Sequence, residues 1–211
     1  MIEDGTFVVI EGLDSSGKRT QAELLRDRLK EEGEEARYVE FPTHQETPVG
    51  KVIDRYLLGE YRVPEEVRVL LYSADRYQFR EEFEEFLRGG GVLVADRYSQ
   101  SNYAFQTTEF DGEEWEDAVE WMEEVDSRLP RPDIVILLDI PPEKARKLME
   151  EDGKEQDMHE EDIDFQGEVL ENYRRLAEKK GWEVVEVVED GEIRSKEEIH
   201  GDIWGKVREL L

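Results

Sequence analysis

Gly12 and Gly17 stand five residues apart and Lys18 follows the second, within Gly12-Leu13-Asp14-Ser15-Ser16-Gly17-Lys18-Arg19-Thr20. Glycine lacks a Cβ and tolerates positive φ, so backbone rich in it can wrap closely around an anion. With a helix starting at the second glycine, free N–H groups converge on that anion. Lys18 then adds a point charge at the β- and γ-phosphates of a nucleoside triphosphate. This is the P-loop arrangement, and Gly12 to Thr20 are its expected ATP-phosphate contacts. One position departs from the strict pattern. Where a Ser or Thr hydroxyl normally ligates Mg²⁺, this chain has Arg19, and a guanidinium cannot ligate a metal. Thr20, or an acid acting directly or through water, is the expected replacement.

The run Asp96-Arg97-Tyr98-Ser99-Gln100-Ser101-Asn102-Tyr103-Ala104-Phe105-Gln106 resembles the thymidylate kinase signature D-R-Y-x-x-S-x-x-A-[YF]-Q. Gly12-Leu13-Asp14, Phe41-Pro42 and Leu70-Leu71-Tyr72-Ser73-Ala74-Asp75-Arg76 resemble the same family, in its order and spacing across nearly the whole chain. The resemblance implies transfer of the ATP γ-phosphoryl group to dTMP, with Mg²⁺ as cofactor and a homodimer as the assembly. It implies that Arg97 holds the dTMP phosphate, that Phe41 and Pro42 border the acceptor, and that Tyr72, usually Phe in the family, stacks on thymine. Arg76 would reach the base. The spacing agrees, because residues four apart in a helix share a face. A ring can stack there on a pyrimidine while a guanidinium donates to its carbonyl. Ser101, Asn102 and Gln106 would frame base and sugar, since Asn and Gln offer both donor and acceptor. Asp14 would accept from the sugar hydroxyl or position the acceptor phosphate. Asp96 is expected either to hold Mg²⁺ or to cap the next helix.

Three departures follow from the same comparison. His44 stands where many members carry a phosphate-clamping arginine, with Lys51 the nearest substitute. Ser15 occupies a place where one subgroup has arginine. The lid segment, about 149–165, is acidic, with Lys154 its only Lys or Arg. Arg19 or Lys154 is therefore expected to supply the missing cation, giving Lys18, Arg97, Asp14 and Arg19 as the catalytic set. The cluster Asp157, His159, Glu160 and Asp162 has the residue types of a metal site, but it reads first as the start of the 162–180 helix, where the dipole favours acids.

These residues need a scaffold. Four apolar runs read as buried strands: Thr6–Ile10, Val92–Ala95, Ile134–Leu138 and the half-polar Val184–Val188, with Ala36–Phe41 as a fifth. Helical patterns cover 17–32, 64–88, 113–128, 162–180 and 195–211, and Pro141-Pro142 fits another helix start. In 64–88 the apolar stripe is Val67, Leu70, Leu71 and Ala74, and Gly89-Gly90-Gly91 ends the helix. Strands alternating with helices indicate an α/β fold, an open parallel five-stranded sheet flanked by helices and P-loop NTPase-like. Residues 1–211 read as one domain.

The 211 residues carry a formal net charge of -28, with 40% charged and 37% hydrophobic residues and no cysteine. Such a field repels nucleic acid and anionic lipid, so neither is expected as a partner. It also repels phosphate, so a phosphate site must gather its cations locally. Concentrated salt would screen that self-repulsion, which reads as adaptation to a salty cytoplasm. No run approaches the ~20 apolar residues needed to cross a membrane, and Met1–Gly5 lacks the features of a signal peptide. Two other readings stay open at this level. One is a sister deoxynucleoside or UMP/CMP kinase. The other is a nucleotide-binding protein that no longer catalyses, favoured by Arg19, His44 and the arginine-poor lid.

Overall fold

The expected strands form one parallel sheet in the computed structural model, which describes residues 5–152 and 162–211. They are β1 (Thr6–Gly12), β2 (Ala36–Glu40), β3 (Val92–Asp96), β4 (Ile134–Asp139) and β5 (Glu183–Glu186). Their order is β2-β3-β1-β4-β5. The central strands bury both faces, which explains their unbroken apolar runs. Val8, Ile10, Val94 and Ile136 pack to one side, with Leu25 and Leu29 in the same cluster. Phe7, Val9, Leu93 and Ala95 pack to the other, against Phe41, Phe83 and Leu87.

Nine α-helices occur among the described residues: α1 (Lys18–Glu31), α2 (Pro48–Leu57), α3 (Glu65–Tyr77), α4 (Arg80–Arg88), α5 (Ser99–Phe105), α6 (Gly112–Val125), α7 (Pro142–Asp152), α8 (Ile163–Lys180) and α9 (Lys196–Val207). Among these residues no helix is long and apolar enough to cross a membrane. In register, Ile10 faces Asp96 and Gly12 faces Leu138. The loop after β1 and the segment after β3 therefore leave the sheet side by side, at the C-terminal edge where such sheets bind ligands.

Three expectations need correction. The helix read over 64–88 is two helices. The break is at Gln78-Phe79, where Phe79 turns inward to stack on Phe83 and meet Phe41 edge-on. The stripe on its first half does not face the core: Val67 is 40% and Leu70 48% exposed, and Ala74 is also exposed. The inward face instead carries Val69, Ser73, Asp75 and Arg76. An apolar period marks the core only where the core is apolar, and this helix instead lines a cavity with Arg68, Tyr72 and Arg76.

The run Val184–Val188 is likewise not one strand. β5 stops at Glu186, and Val187 donates its N–H to the Asp139 carbonyl at 3.0 Å. β6 (Val188–Glu189) then pairs antiparallel with β7 (Glu192–Ile193). The turn between them is Asp190-Gly191, both at positive φ (52° and 81°), as tight hairpins require.

Candidate active site

α1 positions the phosphate loop. Ala22, Leu25 and Leu29 bury its inner face, each large side chain contributing roughly 2 kcal/mol. Gly17 precedes the helix at φ 91°. Gly12 sits at φ 147°, and a Cβ there would lie 2.8 Å from the Leu138 carbonyl oxygen. Both glycines are thus required by the close strand-to-helix turn. Lys18 is buried, with 5% exposure, and its Nζ donates to the Leu13 carbonyl at 2.6 Å. Burial, then the Arg97 charge, holds the Lys18 pKa below the usual lysine range, against Asp96, Asp14 and Glu11, which favour the cation. Ser16 Oγ is buried and has no partner among the described residues.

Arg97 follows β3 in the left-handed region, at φ 65°. That conformation is uncommon for a residue with a Cβ, and here several partners hold it. Nη1 donates to Ser101 Oγ at 3.1 Å and to Tyr173 OH at 3.2 Å. Nη2 is paired with Asp14. The guanidinium lies 5.1 Å from the centre of the Phe105 ring. Burial opposes its charge, but Asp14, Tyr173, Glu11 and Asp96 prevail and hold its proton more tightly than in water.

Glu11 organises this cluster. It is fully buried. Its Oε1 accepts from the Tyr98 and Ser101 N–H groups at 2.9 and 3.2 Å. Its Oε2 accepts from Ser101 Oγ at 2.7 Å and Tyr173 OH at 2.8 Å. Sequence reading passed over both Glu11 and Tyr173. The available signal for Glu11 was a lone acid at the end of a strand otherwise buried in hydrocarbon, since such a charge must find partners.

Asp96 ends β3, in register with Glu40 at the end of β2. Burial raises its pKa from 3.8 to about 6, with Lys18 and Arg97 pulling the other way. Its Oδ1 has no partner among the described residues. Asp96 and Ser16 thus offer hard oxygen donors, the chemistry that suits Mg²⁺. Because the folded chain binds the Asp96 proton more tightly than the unfolded chain, this group's contribution to stability is greatest at low pH. It declines as pH rises from about 4 to about 6, by roughly 3 kcal/mol in total. Denaturation of the parent and Asp96→Asn without divalent cations, from about pH 4 to about pH 7, is expected to show the variant gaining on the parent as pH rises. Any fixed offset from Lys18 losing its neighbour leaves that slope intact, and a flat difference would remove the assignment.

A cavity of about 970 Å³ joins these groups. Its walls include Asp14 to Thr20, Phe41 and Pro42, Tyr72 and Arg76, Asp96 and Arg97, and Ser101, Asn102 and Gln106. Of the expected site residues, Gly12 and Leu13 lie outside the wall. Lys154 lies outside the described residues, as do Asp157, His159 and Glu160. Asp162 caps α8, accepting from the Asp164 and Phe165 N–H groups at 3.1 Å each, so it serves the helix start. A larger groove of about 1260 Å³ runs along β5 and α9, but it holds none of the phosphate-loop residues.

Several walls look different from their sequence readings. Arg19 is largely exposed and pairs with Glu23 at 3.4 Å and Glu40 at 3.8 Å, with Glu40 foremost in raising its pKa. Thr20 is exposed at the cavity rim. Ser101 and Asn102 already bond within the protein, Asn102 Nδ2 donating to the Val69 carbonyl at 3.3 Å. His44 lines the cavity and pairs through Nδ1 with Asp54 at 2.6 Å. Lys51 is exposed on α2 and forms no part of the wall. Arg68 was missed. It lines the cavity on the same α3 face as Tyr72 and Arg76, at successive four-residue steps, and bonds Tyr56 OH at 3.2 Å. The cavity wall also includes Val187, Ile193 and Ile199, beside Arg194 and Lys196.

The family model described as thymidylate kinase matches residues 10–203. The chain is 36% identical over 199 residues to a thymidylate kinase of Schizosaccharomyces pombe, covering 94% of this chain and 90% of that one. It is 32% identical over 206 residues to one from Plasmodium falciparum, covering 98% and 91%. Solved thymidylate kinases from Candida albicans and Ehrlichia chaffeensis superpose with TM-scores of 0.77 and 0.73. At 23% and 18% identity they bear on the fold alone; they cover 98% and 97% of this chain, and 92% and 99% of their own.

Proposed function

The chain belongs to the thymidylate kinase family, and we propose from that premise how its cavity divides the work of phosphorylating dTMP. The reaction moves the γ-phosphoryl of ATP onto dTMP, giving dTDP and ADP. The acceptor is already an oxyanion, so no strong general base is needed. Catalysis then rests on in-line placement and on neutralising charge. Lys18 and the loop N–H groups take the β- and γ-phosphates. Arg97, held by Asp14 and by the Glu11 cluster, takes the dTMP phosphate. Tyr72 stacks on the base and Arg76 donates to its carbonyl, while the wall that carries Val187, Ile193 and Ile199 receives adenine. Arg19, at the rim, supplies the further cation that the family usually draws from an arginine. Asp96, with Ser16 or Thr20, would hold Mg²⁺, which when bound spreads the charge of the polyphosphate.

One observation carries this assignment: Lys18, Arg97 and the Tyr72–Arg76 face line a single cavity. An acceptor panel of dTMP, dUMP, UMP and dCMP with radiolabelled ATP, Mg²⁺ and concentrated KCl tests it, with dTMP expected to be the best acceptor. Faster transfer to UMP or dCMP would favour a sister kinase. Binding of ATP and dTMP without turnover would favour the non-catalytic reading.

We further read the enzyme as a cytoplasmic homodimer working in concentrated salt. The absence of cysteine and the net charge of -28 support the setting. The outward Val67 and Leu70 of α3 support the assembly. Sedimentation in concentrated KCl is expected to give twice the chain mass, and a monomer mass would remove the dimer.

A further inference from the structure

Arg76 and Asp126 form an ion pair with each side chain only 3% exposed. Arg76 Nη2 donates to Asp126 Oδ2 at 2.8 Å and to Ser73 Oγ at 3.2 Å. The two charges are fifty residues apart in the chain. Asp126 also caps the C-terminus of α6, where the helix dipole disfavours an acid. A buried pair of this kind is weak grounds for added stability, so its placement calls for another reason. Arg76 lines the cavity, and its Nε has no partner among the described residues. The guanidinium sits 5.9 Å from the centre of the Tyr98 ring. An unpaired guanidinium in a nucleotide cavity would attract any phosphate that entered. Paired with an acid, it presents a directed donor with little net charge.

Resting on the pyrimidine reading above, we propose that Asp126 is a positioning residue for the acceptor base. It holds the Arg76 fork at one angle and cancels its charge, so that Arg76 reads a neutral carbonyl instead of capturing phosphate. Asp126 acts only through Arg76, which makes a double-mutant cycle decisive. Asp126→Asn keeps the shape and removes the charge. It is expected to raise the KM for dTMP about tenfold, with kcat and the KM for ATP moving less than about threefold. In an Arg76→Met background the same change is expected to add less than about twofold. An unchanged KM in the single variant, or equal losses in both backgrounds, overturns the proposal. Should Asp126→Asn fail to fold, Ser73→Ala removes the other acceptor on Nη2 without stranding a charge. It is expected to raise the KM for dTMP about threefold and to be silent beside Arg76→Met; no change in KM overturns the proposal equally. A parent enzyme inactive on dTMP fails earlier, at the pyrimidine reading, and takes the proposal with it.

Discussion

Replacing Lys18 with methionine is expected to lower kcat by about three orders of magnitude, with the KM for dTMP little changed. Methionine keeps the length of the stem in a position with 5% exposure, so packing around α1 should survive. What is lost is the cation. Asp14, Asp96 and Glu11 are all close enough to favour its charge. Without it these three acids face a tetra-anionic nucleotide, in a chain already at -28. Arg97 is the other cation whose charge is felt at that position, and it is assigned to the acceptor phosphate. Arg19, next in sequence, pairs with Glu23 and Glu40 and is already assigned as the further cation at the rim. Single-turnover measurements at saturating ATP and dTMP read the chemical step directly. A loss smaller than about tenfold would mean that Lys18 does not neutralise the transferring group.

Arg97→Lys is expected to cut kcat/KM for dTMP by about two to three orders of magnitude while the KM for ATP stays within a few-fold. Lysine preserves the charge, so the variant separates charge from geometry. The guanidinium reaches Asp14, Ser101 and Tyr173 at once, and an ammonium on a flexible stem cannot reproduce that planar fork. Freed from those partners, the lysine would have no fixed bearing toward the acceptor phosphate. The backbone contributes as well, since φ 65° at this residue persists only where its surroundings impose it. Loss shared equally between the two substrates would place Arg97 elsewhere in the reaction. A loss of less than about tenfold would show that charge alone suffices.

Much of this molecule was readable before any fold was known. Strand-length apolar runs separated by helical periods lead to a five-stranded parallel sheet, because each period states which side of an element is buried. The phosphate loop was legible for the same local reason: glycine tolerance of positive φ and the start of a helix are properties of neighbouring residues. The segment from Asp96 to Gln106 pointed to the family by its resemblance to known kinases, and the family is what the comparisons bear out. Even so, periodicity misled on α3, where Val67 and Leu70 look like a core stripe and face outward. The end of β5 at Glu186 was likewise hidden inside the run Val184–Val188, which reads as one strand.

What tertiary structure alone decided is which charge meets which. Glu11 finds Tyr173 across 162 positions, Arg97 finds Asp14 across 83, and Arg76 finds Asp126 across 50. Nothing in local spacing encodes these partnerships. A buried ionised group is tolerated only where distant elements bring it opposite charge and hydrogen bonds, and those distances exist only after the sheet has closed around them.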